Sequence, residues 1–350
     1  MSRANSERSS KVPAVMWAEA FRSAGKAGSS MAAVTRSADS ADCACCSCVI
    51  PRIRQNTVQC AQAAVRDGKP DSEVTVEDRV IPANGHSLGL RLYTPAAKGA
   101  GALPVAVWMH GGGFVLGGPS AEDATCRRLS ARLGIAVVAP DYRLAPDYRL
   151  APEDPYPAAL DDCYAVVAWV VDEAEALGVD AAHLALGGHS AGAALATAVT
   201  LAARDRKGPR IRYVYPGYPV LDDRLESASA RAVADPRLFN LHGTKAGWEM
   251  YRQGSDPRPD YAVPARAEDL GDLPPMYVMV AAVDPVRDET LEFAARLSEA
   301  GNSVEVHLAP GVPHMFDVLA PAIGASRRAV DGWITAFADG IGVSREHEGR

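Results

Sequence analysis

Hydrophobic and polar positions follow two different periods along this chain, and together they predict alternating strands and helices. Around Leu88, Leu90 and Leu92 apolar residues alternate with polar ones, which is typical of a strand with one buried face. Residues 74–81 show short valine-rich runs, so the two segments are predicted to pair as antiparallel edge strands. Residues 105–109 are almost all apolar and predict a central strand that is covered on both faces.

Beyond this point, apolar runs are separated by segments of helical period. Further strands are predicted at residues 135–139, 183–186, 211–215, 276–282 and 304–308, and helices at residues 122–133, 157–177, 191–204, 289–300 and 325–337. Strands that alternate with helices of this length need right-handed crossovers, and they form a mostly parallel sheet. The fold class is therefore α/β, and ligands of such sheets bind at the carboxyl ends of the strands.

The N-terminal part of the chain lacks these periods. Serine, alanine and arginine are scattered over residues 1–50, which predicts a disordered tail. Polar and charged residues interrupt the stretch from Val12 to Phe21, so no secretory signal is predicted. A weak helical pattern over residues 51–66 predicts a segment that lies over the domain below, and residues 51–350 are predicted to form a single domain.

A group of cysteines lies at the end of the tail. It contains two overlapping C-x-x-C pairs, Cys43 with Cys46 and Cys45 with Cys48, and only Cys60 follows nearby. A structural zinc site needs four ligands and usually a second pair at a set distance. We therefore expect no metal here, and a metal or redox role remains the alternative.

Composition and charge argue against two classes of partner. With 350 residues, of which 48% are hydrophobic, the chain is long enough to bury one large core. Its formal net charge of -7 provides no broad basic field, so nucleic acid is not an expected partner. No apolar run approaches the roughly 18 to 20 residues of a transmembrane segment. We predict a cytoplasmic protein that is a monomer or a homodimer.

Candidate chemistry begins at Gly188-His189-Ser190-Ala191-Gly192, which joins a predicted strand to a predicted helix. In such a turn, Gly188 and Gly192 let the backbone pass close to its neighbours and leave Ser190 exposed at the helix N-terminus. Unpaired amides there favour negative charge beside the serine oxygen. A G-x-S-x-G match alone is weak evidence, because glycine and serine are common loop residues.

A second loop strengthens the interpretation. His110-Gly111-Gly112-Gly113 directly follows the central strand, and three successive glycines leave bare amides that a substrate oxygen can approach. The amides of Gly112, Gly113 and Ala191, with Gly111 as a further candidate, are predicted to bind an oxygen that gains negative charge. A tight turn without catalytic function is the alternative for this loop alone.

Two further residues complete the expected constellation. Asp284 follows the strand predicted at 276–282, and His314 follows the strand predicted at 304–308. The chain order Ser, Asp, His is that of an α/β-hydrolase triad, in which the imidazole takes the serine proton and the carboxylate orients the imidazole. Asp284 is alternatively a turn or helix-capping residue, with Asp288 as the competing acid, and His314 is alternatively an ordinary loop histidine.

Jointly, these motifs resemble the hormone-sensitive-lipase-like family of bacterial carboxylesterases, in the α/β-hydrolase superfamily, over residues 74–337. The resemblance is carried by His110-Gly111-Gly112-Gly113, Asp141-Tyr142-Arg143-Leu144-Ala145-Pro146, the Ser190 turn, Leu273-Pro274-Pro275, Asp284 to Glu289, and His314-Met315-Phe316. It implies the α/β-hydrolase fold and a serine carboxylesterase that acts on small esters with short- to medium-chain acyl groups. It also implies that no cofactor is needed.

The resemblance further implies a lid and supporting residues. The lid is expected from residues 51–70 and from about 220–265, and Glu153 matches a glutamate that supports the active-site loops in the family. The same supporting role is implied for His110, Gly111, Gly188 and Gly192. Four lid residues either line the acyl or alcohol pocket or pack within a helix core: Phe239, Leu241, Trp248 and Tyr251.

The chain departs from the family pattern at the turn itself. His189 stands where an acidic residue is usual, and Ala193 stands where glycine is usual. This turn resembles that of arylformamidase-like hydrolases, so an amidase, a lactonase or a formamidase is an alternative activity. His189 is also an alternative base, but a side chain next to the nucleophile in a tight turn generally points away from it. A catalytically silent receptor is a further alternative, although all three triad residues are present.

A second departure is a duplication. The hexapeptide at residues 139–144 is repeated without change at residues 145–150, and only the second copy runs into Glu153. A strand cannot absorb six extra residues without losing register, so we expect the surplus to be extruded as a loop. The duplication leaves the placement of Glu153 open, and it is the feature of the chain that we most expect to impair folding or activity.

Overall fold

The computed structural model describes residues 73–97, 101–144, 154–233, 235, 238–253 and 261–343. The strands within these ranges are β1 (Val74–Ala83), β2 (His86–Pro95), β3 (Leu103–Met109), β4 (Ala136–Pro140), β5 (Val179–His189), β6 (Tyr213–Gly217), β7 (Met276–Val283) and β8 (Val304–Pro313). They form one sheet in the order β1-β2-β4-β3-β5-β6-β7-β8. The β1–β2 and β2–β4 pairs are antiparallel, and all remaining pairs are parallel.

Helices cover both faces of this sheet. Those in the described residues are α1 (Asp123–Leu133), α2 (Ala158–Asp172), α3 (Ala174–Leu177), α4 (Ala191–Asp205), α5 (Ala228–Ala232), α6 (Leu241–Tyr251), α7 (Arg287–Glu299), α8 (Phe316–Leu319) and α9 (Gly324–Ile341), with 3-10 turns at Pro119–Glu122 and Pro264–Arg266. None of them is long and apolar enough to cross a membrane.

The sequence of β3 is apolar throughout because both faces of this strand are buried. Val105, Val107 and Met109 belong to the core cluster that packs under α2, α4 and α7. Ala106 and Trp108 belong to the second cluster, which packs under α1 and α9. Because successive side chains of a strand point to opposite faces, a strand that is buried on both faces has no polar positions.

The register of the parallel strands brings distant segments together. Met109 at the end of β3 pairs with Gly188 of β5, so the glycine loop leaves the sheet beside the Ser190 turn. Val283 of β7 pairs with Pro313 of β8, so the next residues of both strands are neighbours. All four candidate loops therefore leave the same edge of the sheet.

The predicted α/β class and the antiparallel edge pair are confirmed, whereas several element boundaries differ. The helix predicted over residues 157–177 is divided at Glu173, whose backbone lies outside the helical region. Strand β5 begins at Val179 because its first residues pair with Leu103 and Pro104, although polar residues interrupt the apolar run there. Strand β8 continues to Pro313, beyond its last apolar run.

Several predictions concern residues outside the described ranges. They are the disordered tail over residues 1–50, the cysteine group at Cys43–Cys48, the lid segment at 51–70 and the position of Glu153. These stay predictions.

The duplicated segment is bounded by residues that contact each other. The Arg143 guanidinium of the first copy donates two hydrogen bonds of 2.9 Å to the buried carboxylate of Asp162. The Asp154 amide donates to the Leu144 carbonyl at 3.2 Å, and Arg143 also lies 3.2 Å from the Asp154 carboxylate. The first copy thus occupies the position beside β4, and residues 145–153 connect two points that already touch.

We expect deletion of residues 145–150 to leave the Tm unchanged or to raise it by a few degrees. Residues 144 and 154 are already joined, and three residues remain to close the loop, so the entropic gain is about 1 kcal/mol. Deletion of either copy gives the same polypeptide, which makes the experiment independent of the alignment. Thermal unfolding followed by circular dichroism measures the effect.

Arg143→Ala in the full chain is the control for this deletion. It should lower the Tm, because it leaves the buried Asp162 carboxylate without its main partner. A clear loss of Tm in the deletion variant would show instead that the extra residues are packed into the fold.

Candidate active site

Ser190 lies in a sharp turn between β5 and α4. Its φ is 57° and its ψ is −119°, and residues with a side chain rarely adopt such a positive φ. The Ser190 amide donates a hydrogen bond of 2.8 Å to the Gly217 carbonyl at the end of β6. The strained backbone is therefore fixed by the neighbouring strand, and the serine is held at the N-terminus of α4.

The two glycines of this turn are required by a close backbone contact. A Cβ at Gly188 would lie 2.5 Å from the Met109 carbonyl oxygen. A Cβ at Gly192 would lie 2.1 Å from the same oxygen and 2.4 Å from the His110 carbonyl oxygen. Because the obstacles are backbone atoms, no side chain can be accommodated at either position. The Ser190 turn and the glycine loop are thus in direct contact.

Ser190, His314 and Asp284 form a continuous line of hydrogen bonds. The Ser190 Oγ lies 2.9 Å from His314 Nε2, and His314 Nδ1 lies 2.7 Å from Asp284 Oδ2. The three residues are only 3%, 5% and 1% exposed, respectively. The Val286 amide also donates to Asp284 Oδ1 at 3.1 Å, which fixes the carboxylate. This geometry allows transfer of the serine proton to an imidazole that a carboxylate orients.

The glycine loop turns back within a few residues. Gly112 and Gly113 have φ values of 128° and 61°, which a residue with a side chain would adopt only with strain. A Cβ at Gly112 would lie 2.2 Å from the Leu116 carbonyl oxygen, and the Leu116 amide donates to Gly112 O at 2.9 Å. Both glycines are partly exposed, and the start of α4 lies against the beginning of their loop, because a Cβ at Gly192 would lie 2.4 Å from the His110 carbonyl oxygen.

His110 is a buried residue that holds this loop. Its Nδ1 donates to the Gly111 carbonyl at 2.8 Å, and the Tyr142 hydroxyl donates to the His110 carbonyl at 2.7 Å. The His110 and Tyr142 rings stack with centroids 4.1 Å apart. Burial lowers the pKa of His110 to about 4. Tyr142 of the first hexapeptide copy is therefore part of the same support.

His189 points away from the reacting serine. Its Nδ1 lies 3.0 Å from Glu122 Oε2, and its ring meets the Trp108 ring edge-on at a centroid distance of 5.2 Å. Burial raises the pKa of Glu122, and His189 together with the Gly111 amide outweighs this and lowers it. The hydrogen bond from Ser190 goes to His314 instead.

The competing acid Asp288 also has other partners. It accepts a hydrogen bond of 2.8 Å from the Ser229 amide at the start of α5, and Arg287 donates to it at 2.7 Å. Of the two acids, Asp284 contacts the His314 ring, whereas Asp288 links α7 to α5.

The segment expected to form a lid is anchored at its base and packs on the glycine loop. The buried Glu289 carboxyl accepts hydrogen bonds from the Leu221 and Asp222 amides at 2.9 and 3.2 Å, where the chain leaves β6. A Cβ at Gly247 of α6 would lie 2.9 Å from the Gly113 carbonyl oxygen, so α6 lies directly against the loop.

The four aromatic and aliphatic lid residues divide into two groups. The Phe239 ring stacks on the His314 ring with centroids 4.4 Å apart, and it is only half-buried. Trp248 and Tyr251 are buried, and both pack on Phe114 with centroids 5.3 and 4.1 Å away. Leu241, the first residue of α6, is half-buried. Phe239 thus packs on His314, whereas Trp248 and Tyr251 pack in the core against Phe114.

Two residues at the site belong to no motif that the sequence displays. Glu122 lies within a predicted helix and is separated from His189 by 67 residues, so no spacing links them. The Tyr218 hydroxyl donates to Asp317 at 3.0 Å, and its ring lies 5.7 Å from the His314 ring. For Glu122, the one signal in the sequence is His189 in the turn, because a buried imidazole needs a polar partner.

Comparison with known proteins agrees with this fold. A family model described as alpha/beta hydrolase fold matches residues 145–318, and one described as carboxylesterase family matches residues 53–212. Esterase LipI of Mycobacterium tuberculosis is 34% identical over 76% of this chain and 82% of its own length. The ethyl acetate hydrolase of Pseudomonas putida is 33% identical over 73% of this chain and 79% of its own.

A solved structure has a similar sequence identity to this chain and the same fold. A bacterial heroin esterase superposes with a TM-score of 0.78 at 34% identity, covering 83% of this chain and 92% of its own. Since relatives named as esterases match most of the chain, the protein is a carboxylic ester hydrolase, and a catalytically silent receptor is set aside. By both sequence and fold, the chain belongs to the carboxylesterases of the α/β-hydrolase superfamily, in the hormone-sensitive-lipase-like family.

Proposed function

We propose that this protein hydrolyses small carboxylic esters with short- to medium-chain acyl groups through an acyl-enzyme intermediate on Ser190. The observation that carries the proposal is the line of hydrogen bonds from Ser190 Oγ through His314 to Asp284. The similarity to an ethyl acetate hydrolase supports a small ester as substrate.

In the acylation step, the Ser190 Oγ attacks the ester carbonyl carbon while His314 Nε2 accepts the hydroxyl proton. The carbonyl electron pair moves onto oxygen, and a tetrahedral intermediate forms. When this intermediate collapses, the carbonyl re-forms, the bond to the alcohol oxygen breaks, and His314 gives its proton to the leaving alcohol. Asp284 accepts the hydrogen bond from Nδ1 throughout and stabilises the imidazolium.

In the deacylation step, water takes the place of the alcohol. His314 accepts a proton from the water as its oxygen attacks the acyl carbon. Collapse of the second tetrahedral intermediate releases the carboxylic acid and returns the proton to Ser190.

The negative oxygen of each intermediate needs donors that are already in place. We assign this role to the amides of Gly112, Gly113 and Ala191, because the loop and the start of α4 lie side by side. Donors that are fixed before the reaction cost no reorganisation, and loss of one typically costs about 3 to 4 kcal/mol of transition-state stabilisation. The Gly111 amide remains a further candidate for this set.

We expect Ser190→Ala and His314→Ala each to lower kcat for p-nitrophenyl butyrate by at least about 10⁴-fold, without a change in the circular dichroism spectrum. Asp284→Asn should also lower kcat by about 10⁴-fold, because it favours the wrong tautomer of His314. Asp288→Asn is the matched control and should keep kcat within a few-fold. Retained turnover in Ser190→Ala, or equal losses for the two aspartates, would contradict the assignments.

A panel of p-nitrophenyl esters from acetate to palmitate should show the highest kcat/KM among the short and medium chains. An anilide of the same acyl group should react far more slowly. Rapid anilide turnover would favour an amidase.

In the same panel, Phe239→Ala should move the preferred acyl length upward, with kcat/KM for butyrate falling on the order of ten-fold. Truncation removes the ring that lies on the His314 imidazole and leaves space beside the reacting centre. Phe239→Tyr keeps the ring and should keep the profile, which makes it the control. An unchanged profile in Phe239→Ala would place the acyl group elsewhere.

A further inference from the structure

A buried pair of side chains lies next to the nucleophile and takes no part in the steps described above. It joins Glu122, the last residue of the 3-10 turn after the glycine loop, to His189, the last residue of β5. The Glu122 Oε2 and His189 Nδ1 atoms are 3.0 Å apart, and the two side chains are only 2% and 1% exposed.

Each partner favours the charged form of the other. Burial alone would raise the pKa of Glu122, but the charge and the hydrogen bond of His189 outweigh it, and the pKa is lowered. Burial alone would lower the pKa of His189, but the Glu122 carboxylate outweighs it, and the pKa is raised. Between these two pKa values a carboxylate faces an imidazolium, and separation of such a pair leaves an uncompensated buried charge.

The pair connects the two halves of the site. His189 is bonded directly to Ser190, and Glu122 ends the 3-10 turn that follows the glycine loop, where the Gly111 amide helps to lower its pKa against the effect of burial. The two backbones also touch, because a Cβ at Gly111 would lie 3.1 Å from the His189 carbonyl oxygen. A fixed distance between Glu122 and His189 thus fixes the loop relative to the nucleophile.

The His189 ring has no room to move away from this position. A Cβ at Gly217 would lie 2.7 Å from His189 Cδ2, so β6 passes directly beside the ring. The rings of Trp108 and Tyr215 meet it edge-on at centroid distances of 5.2 and 5.9 Å. The imidazole is therefore a rigid anchor for the Glu122 carboxylate.

We infer that Glu122 and His189 are positioning residues, which set the distance between the Ser190 hydroxyl and the amides of Gly112 and Gly113. The inference rests on the proposed function, since it assigns a role relative to that nucleophile and those amides. Attack on the ester requires both sets of atoms to converge on one carbonyl group, and a misplacement of about 1 Å can cost about 10²-fold in rate. Neither positioning residue needs to touch the substrate.

The decisive experiment compares single variants with an exchange of the two side chains. Glu122→Gln replaces the charge-assisted hydrogen bond with a neutral one, and we expect kcat for p-nitrophenyl butyrate to fall about ten-fold with KM within about two-fold. His189→Glu places two carboxylates together and should lose more. The double variant Glu122→His/His189→Glu restores the pair and should recover kcat to within about three-fold of the unaltered enzyme.

Two measurements separate positioning from a merely structural role. Titration of active sites with a p-nitrophenyl phosphonate gives kcat per reactive serine, so a smaller amount of folded protein does not lower the value. Asp180→Asn is the matched control, because Asp180 and His183 form a similar pair on the same strand, 2.7 Å apart but about one third exposed. It should change neither kcat nor KM.

The inference is overturned if Glu122→Gln keeps kcat per titrated site within about two-fold, or if the exchanged variant folds with its Tm recovered but its kcat still low. Where Glu122→Gln does not fold, the exchanged variant decides alone by the same criterion. Failure of the proposed function has a different signature, because Ser190→Ala would then retain turnover whatever the Glu122 variants do.

Discussion

A backbone contact that leaves no room for a side chain is the constraint on which this site depends. The turn that carries Ser190 lies so close to the end of β3 that the Met109 and His110 carbonyl oxygens occupy the space where a Cβ of Gly188 or Gly192 would lie. The glycine loop begins at His110, directly after the last residue of β3. Because the two segments touch, the nucleophile and the loop amides have a defined separation before any substrate arrives, as catalysis by prearranged dipoles requires.

Strand register extends this constraint to the remaining groups. Asp284 and His314 each follow a strand end, and the pairing of Val283 with Pro313 places them side by side. Strand β6 lies between β5 on one side and β7 and β8 on the other. Its Gly217 carbonyl accepts a hydrogen bond from the Ser190 amide. A slip of one residue in any of these pairings would turn each side chain to the other face of the sheet. The large two-sided core is therefore what aligns four short loops.

The parts that the sequence predicts well are those with a local signal. Strand and helix alternation comes from hydrophobic period, and the Ser190 turn has glycines at fixed offsets. Chain order and strand ends were enough to select Asp284 and His314. Contacts between distant residues have no such signal, so the partner of His189 and the stacking of Phe239 on His314 emerge only from the fold. The start of β5 also has no clear apolar signal, because Asp180 and His183 interrupt the apolar run while the backbone of Val179 and Asp180 pairs with β3.

Two imidazoles flank Ser190, and their surroundings decide which one can accept its proton. A general base must be neutral and must reach the hydroxyl oxygen. His314 Nε2 lies 2.9 Å from Ser190 Oγ, and Asp284 binds its opposite nitrogen, which leaves Nε2 as the acceptor. His189 binds Glu122 through Nδ1, its pKa is raised by that carboxylate against the opposing effect of burial, and its Nε2 has no hydrogen-bond partner in the described part of the chain. The His189 ring is bound to an acid and not to the serine hydroxyl. The histidine adjacent in sequence is thus held by Glu122, and the histidine that contacts the serine hydroxyl is the one 124 residues away.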